Sequence, residues 1–219
     1  MDERFTISIV LDHGEAEGLV RETARKVVRK YLVENCAVEY PHITLFGLIS
    51  LKKGCGTRDI ASVIGDLGQK YDYIPYSLHG WKRLRSRGLG EVFAHKVVAS
   101  PELSEFYYNL ATKLSSIGNA VKWQDRHPDT RYLHVSVLLR LYYGRPSDAL
   151  WESLIKDDEI APLDLSLDAL RITLRGNDHL QAFDLPRKIW LFWEETWDHK
   201  EWKKTNWAYS YWKNYNTPQ

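Results

Sequence analysis

Two short segments of this 219-residue chain, 92 residues apart, are built alike: Tyr40-Pro41-His42-Ile43-Thr44-Leu45-Phe46 and Tyr132-Leu133-His134-Val135-Ser136-Val137-Leu138. Each reads Tyr, any residue, His, a β-branched residue, Ser or Thr, an aliphatic and an apolar residue. In the second, Leu133, Val135, Val137, Leu139 and Leu141 share one parity, while Tyr132, His134, Ser136, Leu138 and Arg140 share the other. Period two predicts a strand with an apolar face and a face that carries the chemistry. The first segment behaves alike, with Ile43, Leu45 and Ile49 opposite Tyr40, His42, Thr44 and Phe46. Residues i and i+2 of a strand lie about 6.5 to 7 Å apart on one face, so each strand presents an imidazole beside a hydroxyl. Two such strands side by side would line a cleft.

With eight histidines, about one HxS or HxT is expected by chance, and an isolated copy reads as a core histidine satisfied by its hydroxyl neighbour. The duplication, with its matching flanks and parity, points to function. Around it, alternation predicts strands at Phe5–Leu11, Tyr76–Leu84, Glu91–Ala99 and through Leu170, Ile172 and Leu174. Apolar residues at threes and fours predict helices over Glu15–Asn35 and, after the Ser100-Pro101 start signal, from Leu103 to Gly118. Weaker helical patterns follow Thr57, with Gly68 as a stop, and Ser147 as a cap. Strands, helices and hairpins in this mixed order give an α+β class with largely antiparallel sheets.

Composition narrows the function. No apolar run approaches the roughly 18 residues of a membrane span, and 44% hydrophobic with 27% charged residues is a globular balance. A net charge of +1 is too small to hold a long duplex by bulk electrostatics, so nucleic-acid contacts would be local. Cys36 and Cys55 form neither a disulfide scaffold nor a CxxC pair, and the N-terminus lacks a signal-peptide pattern, which predicts a reducing, cytoplasmic setting. No GxGxxG, P-loop, HExxH or CxxC motif suggests a nucleotide cradle, cofactor or metal site.

The paired motifs resemble the 2H phosphoesterases, the family of RNA 2',3'-cyclic phosphodiesterases once named 2'-5' RNA ligases. The resemblance covers about Arg4 to Leu191, including the Leu170–Leu185 ending, with Ser136 where Thr is commoner. It implies a bilobal fold: two pseudo-twofold related antiparallel sheets with outer helices and one HxT/S motif per lobe, over residues 1–186. It also implies a metal-independent phosphodiesterase acting on 2',3'-cyclic phosphate RNA ends or on 2'-5' and other short oligonucleotide phosphodiesters. His42 and His134 would be general acid and base, in either order, with Thr44 and Ser136 donating to phosphate oxygens. Tyr40, Phe46 and Tyr132 are candidates to stack a base and Arg140 to bind phosphate. The turn Trp81-Lys82-Arg83-Leu84-Arg85-Ser86-Arg87-Gly88 could track an RNA backbone. The other reading is a catalytically silent nucleotide- or RNA-binding module whose tail recruits a partner. That tail, residues 187–219, holds Trp197, Trp202, Trp207 and Trp212 at fives, a spacing that makes no single helical seam, and is expected to pack on the body or between subunits.

Overall fold

The computed structural model describes residues 4–192 except 12–14, 34–35, 39, 87–89, 122, 142–144 and 177–179. The strands are β1 (Arg4–Val10), β2 (His42–Leu51), β3 (Ile74–Ser86), β4 (Gly90–Ala99), β5 (Gly118–Ala120), β6 (His134–Leu141), β7 (Asp164–Ala169), β8 (Arg171–Arg175), β9 (Leu180–Asp184) and β10 (Ile189–Phe192). The helices are α1 (Glu15–Tyr31), α2 (Thr57–Gly68), α3 (Pro101–Ile117), α4 (Trp123–Arg126) and α5 (Arg145–Leu154), with 3-10 turns at Pro128–Thr130 and Asp158–Ile160.

All strand pairs are antiparallel, in the order β10-β9-β8-β1-β2-β6-β4-β3-β7, with β5 on the far part of β2. The α+β class and the antiparallel pairing are as expected. The two expected sheets are joined into one, because Ile43 of β2 pairs with Val135 of β6. One apolar cluster unites Ile7, Ile9, Ile43 and Val135 with Val20 of α1, Ile64 of α2 and Phe106 of α3, so these helices cover that face. The opposite face carries the motif histidines.

Helix boundaries follow local chemistry. The Ser100 hydroxyl accepts the Leu103 N–H at 3.0 Å and Pro101 follows it, so α3 starts where expected. It ends before Gly118, where a Cβ would sit 2.5 Å from Ile49 Cδ1, an approach only glycine permits. Helix α1 stops at Tyr31, earlier than its apolar stripe suggests: Leu32 takes a φ of 53° and leaves its side chain exposed. Ser147 lies inside α5, two residues past its start, rather than before it. An edge strand, β7, pairs with β3 where sequence alternation gave no prediction, and Leu170, expected on a strand face, is an exposed link between β7 and β8.

The strand pairs β1–β2 and β4–β6 repeat each other in register. Ile9↔Ile43, Ser8↔Thr44, Ile7↔Phe46 and Phe5↔Ile49 have their counterparts in His95↔Val135, Ala94↔Ser136, Phe93↔Leu138 and Glu91↔Leu141. Both pairs carry register shifts at the same two places. At the C-terminus, β10 pairs with β9, and Trp190 packs edge-on against Phe183 at 5.4 Å. The sheet therefore runs past residue 186, through Phe192; Trp197, Trp202, Trp207 and Trp212 lie outside the described residues. No helix of the described residues is long and apolar enough to cross a membrane.

Candidate active site

The Ile43↔Val135 pair is the hinge of the site. Side chains of directly opposed residues share a face, and the next residues along point to the other one. One step either way therefore sets His42 beside Ser136 and Thr44 beside His134 on the face away from the helices. Each imidazole is held the same way: His42 Nδ1 lies 3.0 Å from the Tyr40 carbonyl, and His134 Nδ1 lies 3.2 Å from the Tyr132 carbonyl. A carbonyl only accepts, so Nδ1–H is the donor and Nε2 is the basic nitrogen of each neutral ring. All four residues expected to do the chemistry are thus gathered at one seam of the sheet.

Past the hinge the two strands part. The Thr44 carbonyl is taken by Arg131 Nη2 at 2.8 Å instead of by β6. Arg131 forms an ion pair with Asp125, whose carboxylate is buried and accepts the Gly47 N–H at 3.0 Å and the Leu48 N–H at 3.3 Å. Thr6 Oγ1 donates to the Gly47 carbonyl at 2.7 Å. On the other side of the hinge, residues 36–38 run beside β6. Val38 N–H donates to the Val137 carbonyl at 3.0 Å, and Leu139 N–H donates to the Cys36 carbonyl at 2.7 Å. Asp125 and Arg131 are site-supporting residues that strand periodicity does not reveal.

The register shifts correct two expectations. Between Thr44 and Phe46, β2 has one residue more than β1, so Phe46 turns to the face of Ile43 and is 2% exposed. It packs in the core and cannot stack a base. The matching shift carries Leu138 to the core face of β6, and the next one, between Leu138 and Leu141, contains Arg140. Period two therefore no longer assigns Arg140 to the His134 face, and its side chain lies outside the described residues. Tyr40 is half-buried, while Tyr132 is 69% exposed, with Lys82 Nζ 4.7 Å from its ring centroid. The basic turn divides. Arg83 and Arg85 bind the buried Glu91 carboxylate, with Nε–Oε distances of 2.9 and 3.1 Å, so only Lys82 of these three is directed toward the second motif. Arg87 and Gly88 lie outside the described residues.

The first half lays further polar residues on the same face. Ser8 pairs with Thr44 and with Thr173, and Thr6 pairs with Arg175. Ser8 and Thr173 are buried there, and burial pushes the Arg175 guanidinium down to about 10.

No protein-family model and no curated protein matches this chain in sequence. Solved structures do match it in fold. Usb1 of Kluyveromyces marxianus aligns over 84% of this chain and 98% of its own, at 10% identity and a TM-score of 0.55. The same protein with uridine monophosphate aligns over 83% and 98%, at 10% identity and a TM-score of 0.56. The chain has the 2H phosphoesterase fold. E. coli LigT in its apo form aligns over 89% of this chain and 96% of its own, at 11% identity and a TM-score of 0.46.

The β2–β6 seam of this fold carries two imidazoles and two hydroxyls on one face. Among the described residues, no three His, Cys, Asp or Glu side chains gather into a group that could hold a metal ion.

Proposed function

We propose that this chain is a phosphodiesterase acting on 2',3'-cyclic phosphate RNA ends or on 2'-5' and other short oligonucleotide phosphodiesters, by two-histidine acid-base catalysis without a metal. The observation that carries the reading is the matched pair of His-hydroxyl strands meeting at Ile43↔Val135, with both Nδ1 atoms on backbone carbonyls. One Nε2 accepts a proton from water as its oxygen attacks phosphorus. The P–O bond to the ribose oxygen breaks, and the other imidazolium protonates that oxygen. The Thr44 and Ser136 hydroxyls donate to non-bridging oxygens, whose charge grows in the transition state. These four side chains supply the proton transfers and the charge stabilisation that the reaction needs.

A nucleotide ligand is supported by the fold's likeness to the Usb1 structure with uridine monophosphate. The two cysteines, Cys36 and Cys55, are too few for a disulfide scaffold, which suits a reducing, cytoplasmic compartment. The test is a panel of 2',3'-cyclic mononucleotides, RNA ends, 2'-5' dinucleotides and cyclic dinucleotides incubated with the protein in EDTA. Turnover of at least one substrate, undiminished by chelator and not raised by added Mg²⁺, Mn²⁺ or Zn²⁺, is the expected result. Nucleotide binding without turnover would make the chain a silent binding module, and loss of activity in EDTA restored by one metal would move it to another class of hydrolase.

A further inference from the structure

A cavity of about 460 Å³ opens at the end of β4 and β6, bordered by Lys82, Lys96, Tyr107, Tyr108, Asp129 and Tyr132. Lys96 pairs directly with His134, and Lys82 pairs with Ala94, which in turn pairs with Ser136. Both lysines therefore stand on the face of the second motif. Neither is in an ion pair among the described residues, unlike Arg83 and Arg85, which Glu91 occupies. Lys82 lies over the ring of Tyr132, a side chain with most of its surface open. The exposed Asp129 is the acidic group at the rim.

Two ammonium groups outside any described ion pair, one of them over an exposed aromatic ring, are the elements that hold one unit of a single strand: cations for the phosphate, a π-face for the base. Among the described residues the first half has no matching cation beside His42, since Val10 stands where Lys96 stands beside His134. Resting on the phosphodiesterase reading, we propose that this cavity is a subsite for the nucleotide joined to the reacting phosphate on the His134 side. Its phosphate lies between Lys82 and Lys96 and its base rests on Tyr132. The substrate is then a single-stranded oligonucleotide, recognised beyond the bond that is cut, and not a free mononucleotide.

The experiment compares a nucleoside 2',3'-cyclic phosphate with a tetraribonucleotide ending in the same cyclic phosphate. The native protein should prefer the tetranucleotide by about tenfold or more in kcat/KM. Lys82→Ala combined with Lys96→Ala should lower kcat/KM for the tetranucleotide about tenfold more than for the mononucleoside. The same pair changed to Arg should restore the preference. The salt slope of the tetranucleotide reaction should fall by roughly 0.7 per lysine removed. Equal turnover of the two substrates by the native protein, or equal loss on both by the alanine variant, overturns the subsite and leaves the phosphodiesterase reading intact. If the native protein turns over neither substrate, the cyclic-phosphate part of that reading fails. Anisotropy of a fluorescein-labelled tetranucleotide then decides the subsite by itself: binding that weakens about tenfold in the alanine variant supports it, and binding that is absent or unaffected overturns it.

Discussion

Strands β1 and β4 hold the same positions beside β2 and β6, yet what stands at those positions differs. Phe5, Ser8, Ile9 and Val10 on one side correspond to Glu91, Ala94, His95 and Lys96 on the other. Phe5 and Ile9 are fully buried in the apolar core. Glu91 is equally buried but held by two arginines, and His95 stacks on Trp81 at 4.6 Å. What repeats is the backbone geometry: a His-x-hydroxyl stretch, a carbonyl on each Nδ1, then two irregularities that turn the strand to three-residue spacing on its core face. A two-histidine reaction asks this of both halves. What differs is how each half is braced and which charges stand beside it, with the Asp125–Arg131 pair beneath the first motif, and Lys82 and Lys96, in no ion pair among the described residues, beside the second.

The largest effect tests whether the two halves are equal partners. His42→Ala and His134→Ala should each lower turnover by about 10²- to 10⁴-fold, and the double variant should be little worse than either single one. An unchanged rate in one of them would show that only one half reacts. Next comes the bracing. Asp125→Ala leaves Arg131 as a buried unpaired charge and strips an acceptor from two amides of β2, which should cost about 3 to 5 kcal/mol in urea unfolding. The equivalent amide of β6, on Leu139, is served by the Cys36 backbone carbonyl, so Cys36→Ala should cost about 1 kcal/mol or less. Similar losses in the two variants would show that the halves are braced alike.

The halves also differ in how far the sequence discloses them. Strict alternation places His42, Ile43 and Thr44, and likewise His134, Val135 and Ser136, on their true faces. It fails at Phe46 and Leu138, because a bulge adds a residue and reverses parity. Gly47 inside β2 is the kind of residue that marks such a place. In β6 the matching residue is Leu139, which gives no warning. Asp125 and Arg131 sit in a polar stretch that reads as a solvated loop, and their partners on β2 are 78 and 87 residues away in the chain. Local signals fare better: Ser100-Pro101 identifies the start of α3 because a cap satisfies its own helix and needs nothing distant. β7 is less legible, since its Leu165 and Leu167 alternate with polar residues on a half-exposed edge.

A third prediction uses His95, whose counterpart is Ile9. Burial pushes the His95 imidazole down to about 4 from an ordinary value of 6.5. The folded state thus resists a proton that the unfolded chain accepts between those values. Stability from this group is full above pH 6.5 and falls as pH drops toward 4, by roughly 3 kcal/mol in all. His95→Ile, which gives β4 the residue that β1 has, should remove that share of the pH dependence. Urea unfolding at pH 7 and pH 4.5 reads it as the difference between the two proteins' losses. Equal losses would mean that His95 takes up its proton without cost, and that the two halves respond to acid alike.

The smallest effect concerns the hydroxyls themselves, Thr44 in one half and Ser136 in the other. Thr44 has Ser8 across from it, and Ser136 has Ala94, so a methyl group added at Ser136 meets a small neighbour, and one removed from Thr44 leaves only a minor gap. Thr44→Ser and Ser136→Thr keep the donor and should hold kcat/KM within about threefold, less than ~1 kcal/mol of barrier. Thr44→Val and Ser136→Ala remove the donor and should each cost about 10²-fold, with the loss in kcat because the bond strengthens as charge develops. The contrast between the swap and the deletion is the informative quantity. If Ser136→Thr costs as much as Ser136→Ala, the second half holds its phosphate oxygen by shape as well as by a hydrogen bond, and the equivalence of the two motifs stops at the backbone.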